Sequence, residues 1–136
     1  MEIRNLNVQE LEVLELSLKM ISKFTREPRP VSFSGLQKAY DDLISFDKKF
    51  EELEISLGIS FGQKFVETGR YNWVRVSDEY GEETCVSPKG LKINVAPISM
   101  IQKRIEDNLK VDFKDLFDET DKVVRDLIES GKYDRR

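Results

Sequence analysis

Four carboxylates crowd one short stretch, Asp78-Glu79-Tyr80-Gly81-Glu82-Glu83. Paired carboxylates can move protons or hold a hard cation. Set around a tyrosine, they can instead steer a basic protein surface while the ring anchors it. The spacing does not match a calcium loop, whose ligands alternate over about twelve positions and end in a bidentate Glu. A second stretch, Gly58-Ile59-Ser60-Phe61-Gly62, spells the Gly-x-Ser-x-Gly of a nucleophile elbow. That chemistry needs a strand before the serine, a helix after it and a histidine to take its proton. The chain has no histidine, and Glu52 to Leu57 reads as helix. Ser60 is therefore expected to be chemically idle. Gly58 and Gly62, four apart on one helix face, are expected to let another element approach the backbone closely.

The missing histidine removes further mechanisms: His-assisted cysteine nucleophiles, His-ligated zinc and imidazole acid–base catalysis. The single cysteine, Cys85, leaves no disulfide framework and no multi-cysteine metal site. Its place in a strand beside Val86 suggests a buried, inert thiol. No catalytic set, cofactor or metal site emerges, and the expectation is a non-enzyme. With 22 basic and 26 acidic residues the net charge is −4, so phosphate counterion release offers little and nucleic acid is not an expected partner. The N-terminus lacks the basic start and apolar run of a signal peptide, and no window reaches the ~20 apolar residues of a membrane helix. A cytoplasmic location is the simplest expectation.

The elements that must position these residues are signalled locally. Asn7 and Glu10 form a capping box before an apolar-rich run, Leu11, Val13, Leu14, Leu16, Leu18, Met20, Ile21 and Phe24. So wide an apolar face marks a core helix touching more than one neighbour. Two prolines in "TREPRPVSFSG" break the pattern, and Ser34 with Gln37 is expected to start a second helix, Asp47 to cap a third, and Gly69 to end it. The period then changes to two. Val74 and Val76 alternate with Trp73 and Arg75, and Leu91, Ile93 and Val95 alternate with Lys92 and Asn94. With a turn at Ser87-Pro88-Lys89-Gly90, this predicts a three-stranded antiparallel meander whose first turn is the acidic stretch. Pro97 starts a fourth helix, and Asp112 and Gly131 bracket a fifth. The expected fold is α+β with a single core over residues 1–131, followed by a short flexible tail, 132–136.

"LGISFGQKF", "NWVRVSDEYGEETCVSP" and "NVAPISMIQKRIED", in that order, resemble a bacterial domain family of unknown function. Its members show a Leu-Gly…Gly helix, a Trp-Val strand leading into Asp-Glu-Tyr-Gly, and a Pro-x-x-Met…Lys-Arg-Ile helix. The resemblance covers Leu57 to Asp107. It implies the fold and a bacterial origin, and carries no activity. Small stand-alone domains of this kind look like the immunity proteins of toxin systems, an analogy of size and context.

The leading functional expectation is a non-enzymatic protein-binding module, an immunity protein that occludes a cognate toxin. Its partner-binding residues would be Asp78, Glu79, Tyr80, Glu82 and Glu83. Two rivals stand beside it. One is a carboxylate-based, metal-assisted enzyme using the same turn; the other is a structural or regulatory subunit that self-associates through faces such as that of the first helix.

Overall fold

The computed structural model describes residues 1–135. In chain order the elements are β1 (Glu2–Asn5), α1 (Val8–Thr25), α2 (Phe33–Ser45), α3 (Glu51–Glu67), β2 (Tyr71–Asp78), β3 (Gly81–Pro88), α4 (Pro97–Glu106) and α5 (Phe113–Ser130). Five helices and one three-stranded antiparallel sheet give the expected α+β class. Several boundaries follow directly from local chemistry. The Asn7 side chain accepts from the Glu10 N–H at 2.8 Å while Glu10 accepts from the Asn7 N–H at 2.9 Å, closing the capping box of α1. Pro97 opens α4, Asp112 caps α5 by accepting from the Asp115 N–H at 2.9 Å, and Gly131 ends α5 in the left-handed region.

Two helix starts differ from expectation. Ser32, not Ser34, caps α2, its hydroxyl accepting from the Gly35 N–H at 3.0 Å. Gln37 is spent elsewhere: its amide donates to the Val111 carbonyl at 2.7 Å and accepts from the Phe113 N–H at 2.8 Å, tying α2 to the start of α5. Asp47 caps nothing. α3 begins at Glu51 with no side-chain cap, and the exposed Glu51 and Glu52 place negative charge in its first turn, where the helix dipole favours it.

The third strand of the sheet is β1, paired along β2 with Ile3 opposite Val76, rather than the segment from Leu91 to Val95. That segment does bury Leu91, Ile93 and Val95 as its alternation requires. It forms an isolated bridge with β3, where Val86 and Val95 exchange backbone hydrogen bonds of 3.0 and 2.8 Å. The Ser87 hydroxyl bonds the Leu91 and Ile93 carbonyls, so a side chain takes over what a ladder would have used. Lys92 donates its N–H to the Asp134 carbonyl at 2.7 Å and Leu91 bridges Arg135, which brings the C-terminal residues alongside.

α3 is the centre of the molecule. It packs against α1, α2, α4, α5 and the sheet, and residues 56–62 are buried without interruption. A helix buried all round needs small side chains where neighbours come closest. A Cβ on Gly58 would lie 2.6 Å from Ile98 Cα, and one on Gly62 would lie 2.5 Å from the Trp73 ring and 2.7 Å from Pro97. The Gly-x-Ser-x-Gly match is thus a close approach of α4 and β2 to α3. Around it, Phe61 stacks edge-on with Phe65 and Phe113, and Phe65 with Tyr71. α1 is only half the core helix its sequence suggested. Leu18 and Ile21 are buried, while Val13 and Leu16 stay 56% and 64% exposed.

Candidate functional site

The acidic stretch is the tip of the β2–β3 hairpin. Asp78 and Gly81 form the last pair of the ladder, leaving Glu79 and Tyr80 as a two-residue loop. Gly81 has φ +128°, a conformation that side-chain-bearing residues rarely adopt. Asp78 accepts the Tyr80 N–H at 2.8 Å, an Asx-type turn that fixes the loop from within. The other carboxylates divide between the two faces of the sheet. Glu82 accepts from the Ser77 hydroxyl at 3.0 Å and lies 3.6 Å from Arg75 Nε. Glu83 accepts from the Ser99 hydroxyl of α4. Glu79 makes no hydrogen bond or ion pair among the described residues, and Tyr80 is 90% exposed. The hairpin therefore gathers all five expected residues, but only Glu79 and Tyr80 are unengaged. Asp78, Glu82 and Glu83 are tied into the fold.

Glu82 belongs to a larger charge network at the sheet's outer end. Arg4 forms two hydrogen bonds with Glu10, of 2.8 and 3.0 Å. Arg75 sits between Glu10 at 3.5 Å and Glu82 at 3.6 Å, and donates to the Thr84 hydroxyl at 2.9 Å. The Arg4 hydrogen bonds, with the Asn7 N–H, hold the Glu10 carboxyl down at about 2. No group of three His, Cys, Asp or Glu among the described residues is placed to hold a metal ion. Cys85 is buried behind the sheet with Val74 and Val76, and burial pushes its thiol up to about 12.

Two arrangements went unread in the sequence. Asp121, buried on α5, is held by both nitrogens of Arg70 at 3.0 and 3.1 Å, by the Tyr71 hydroxyl at 2.8 Å and by Arg125 Nε at 3.2 Å. Burial pushes its carboxyl upward, but the hydrogen bonds from Arg70 and Tyr71 outweigh this and hold it below the usual range. A carboxylate on an apolar stripe between Phe117 and Val124 was the available signal. The second is a pocket of about 400 Å³ between α1, the segment before α2, and α3. Ser60 and Gln63 line it with Leu18, Arg29, Pro30, Val31 and Glu67.

No curated protein and no solved structure matches the chain. A family described as "Domain of unknown function (DUF3806)" matches residues 33–117, from the start of α2 into α5, and so spans the central helix, the hairpin and α4. With well over half of its length matched, the chain belongs to this DUF3806 family of domains of unknown function.

Proposed function

We propose that the protein is a non-enzymatic binding module that presents the β2–β3 hairpin tip to a basic protein partner, and that its setting is that of an immunity protein occluding a toxin. The observation that carries the reading is Tyr80, 90% exposed at the apex of a hairpin whose loop is fixed by Asp78 and Gly81. A large ring held out on a rigid turn loses little conformational freedom when it enters a partner's pocket. Glu79, beside it and free of internal partners, adds a charge that steers a basic surface, and the net charge of −4 reinforces it.

The test begins with a pull-down from the native host and continues with binding kinetics at several salt concentrations. Tyr80→Ala should speed dissociation by an amount corresponding to about 2 kcal/mol or more, as for a buried anchor. Glu79→Lys should slow association and flatten its salt dependence while leaving dissociation nearly unchanged. Unchanged rates in both variants would remove the hairpin from the interface. Self-association is supported by a separate observation, the exposed Val13 and Leu16 on α1. It requires a mass that rises with concentration and falls back in Leu16→Lys.

A further inference from the structure

We infer that α1 pairs with the α1 of a second copy of this chain, as a short antiparallel coiled coil. This rests on the self-association reading and gives it a surface and a geometry. At about 100° per residue, Gln9, Val13, Leu16 and Met20 line one stripe of α1. Burial of Ser17, Leu18 and Ile21 turns the adjoining face inward, whereas Val13 and Leu16 stay 56% and 64% exposed and Met20 is half-buried. Steps of four, three and four along the stripe are those of a heptad seam, whose residues seat as knobs in a facing helix. A cavity of about 210 Å³ opens beside the stripe, lined among others by Gln9, Val13, Leu14 and Ile59. It can take such a knob from outside.

The occupant follows from symmetry. The stripe has the same spacing read in either direction, so an antiparallel copy sets Leu16 of one chain against Val13 of the other, and Met20 against Gln9. Each contact forms twice across a two-fold axis level with residues 14 and 15. Charge points the same way. Glu12 and Lys19, each just before a seam residue, are exposed along one border of the stripe and make no hydrogen bond or ion pair among the described residues. In a two-fold antiparallel pair, equivalent borders meet. Glu12 and Lys19 of opposite copies then come level to within two residues of helix rise, about 3 Å, which a lysine side chain spans. In a parallel pair this border would meet the opposite one, which on α1 is the buried Ser17. One acid and one base gain little from a strongly charged partner, whereas a reversed copy of the same face matches both. α1 is already held as a helix by its packing on α3, so pairing carries no nucleation cost.

Sedimentation of the full chain should show a monomer–dimer equilibrium with a dissociation constant on the order of 100 μM, as suits a small interface. Leu16→Lys should raise that constant by about 10-fold or more. Glu12→Lys and Lys19→Glu should each weaken the dimer by roughly 2- to 5-fold, with the larger effect at low salt. Mixed in equal amounts, the two charge variants regain an opposite pair at both ends, and should associate at least as tightly as the original chain. All three substituted residues are exposed, and unchanged melting curves check the fold. A mass independent of concentration would overturn both this pairing and the self-association reading. A dimer that survives Leu16→Lys, or a mixture no tighter than its components, would overturn the α1 pair and leave association through another surface.

Discussion

Gly58 and Ser60 lie two residues apart on α3 and face opposite demands. At Gly58 the neighbour is backbone, Ile98 Cα, which cannot swing aside as a side-chain tip could. Gly58→Ala should therefore cost about 1–3 kcal/mol by overpacking, even though alanine is the better helix former. Chemical denaturation would check this, and a stabilised variant would show that α4 yields easily. Ser60 presents the reverse case, because its hydroxyl is buried without a partner. Ser60→Ala should stabilise the fold by up to about 1 kcal/mol. The same denaturation series reads it, and a loss of stability would mean that the hydroxyl is internally satisfied. The absence of histidine had already argued against a catalytic serine. Only the packing shows which glycine neighbour is rigid.

α5 illustrates how one polar residue can attach an element. Its inner face carries Phe113, Phe117 and Val124, and among them stands Asp121 with four hydrogen-bonding or ionic contacts to Arg70, Tyr71 and Arg125. Asp121→Asn keeps the shape but removes the charge, leaving the Tyr71 hydroxyl and Arg70 poorly matched. Arg70 is half exposed and recovers hydration, so the cost should be moderate, about 2 kcal/mol. Hydrogen exchange should show the loss concentrated in α5 and the start of β2, and a uniform change would point to a general effect. The hairpin is the contrasting element. Its loop is held by its own Asp78 and Gly81, so Tyr80→Ala and Glu79→Lys should leave thermal stability nearly unchanged while altering partner binding.

The stability of the whole molecule should depend on pH through two opposed sets of carboxyls. Glu10 is held at about 2 against an ordinary 4.5, and Glu15 and Asp121 are also held below their ordinary values, by hydrogen bonds from Arg29 and from Arg70 with Tyr71 that outweigh burial. The unfolded chain protonates these groups first as pH falls. Their contribution is therefore complete above about 4.5 and is lost toward about 2. Glu54 is the reverse: only 3% exposed and raised by burial. The folded chain holds its proton more tightly, so Glu54 opposes folding once pH rises above its folded value. Thermal melts across this range should show the melting temperature falling steeply at acid pH. Glu54→Gln should raise it near about pH 7, with the gain shrinking toward about pH 4. A gain independent of pH would exclude the titration as its cause.

How much was legible in the sequence follows the range of each interaction. Caps, stops and turns are settled within a few residues of chain, so Asn7 with Glu10, Pro97, Asp112, Gly131 and the Asp78–Gly81 turn could all be read directly. The close approach at Gly58 and Gly62 was legible too, because two glycines on one helix face have few other uses. Alternation at Leu91, Ile93 and Val95 announced burial correctly but could not name the pairing partner. That choice fell to β1, four residues whose one apolar side chain, Ile3, is too little signal for a strand. Which part of α1's apolar surface is covered, which turn carboxylates are tied to Arg75 or Ser99, and that Ser60 and Gln63 line one pocket all depend on residues distant in sequence. By itself the sequence determined the five helices, the β2–β3 hairpin, several of their ends and the α+β class, because those forces act locally. The tertiary structure alone decided the sheet's third strand, the two free residues of the hairpin and the pocket, because each exists only where separate segments meet.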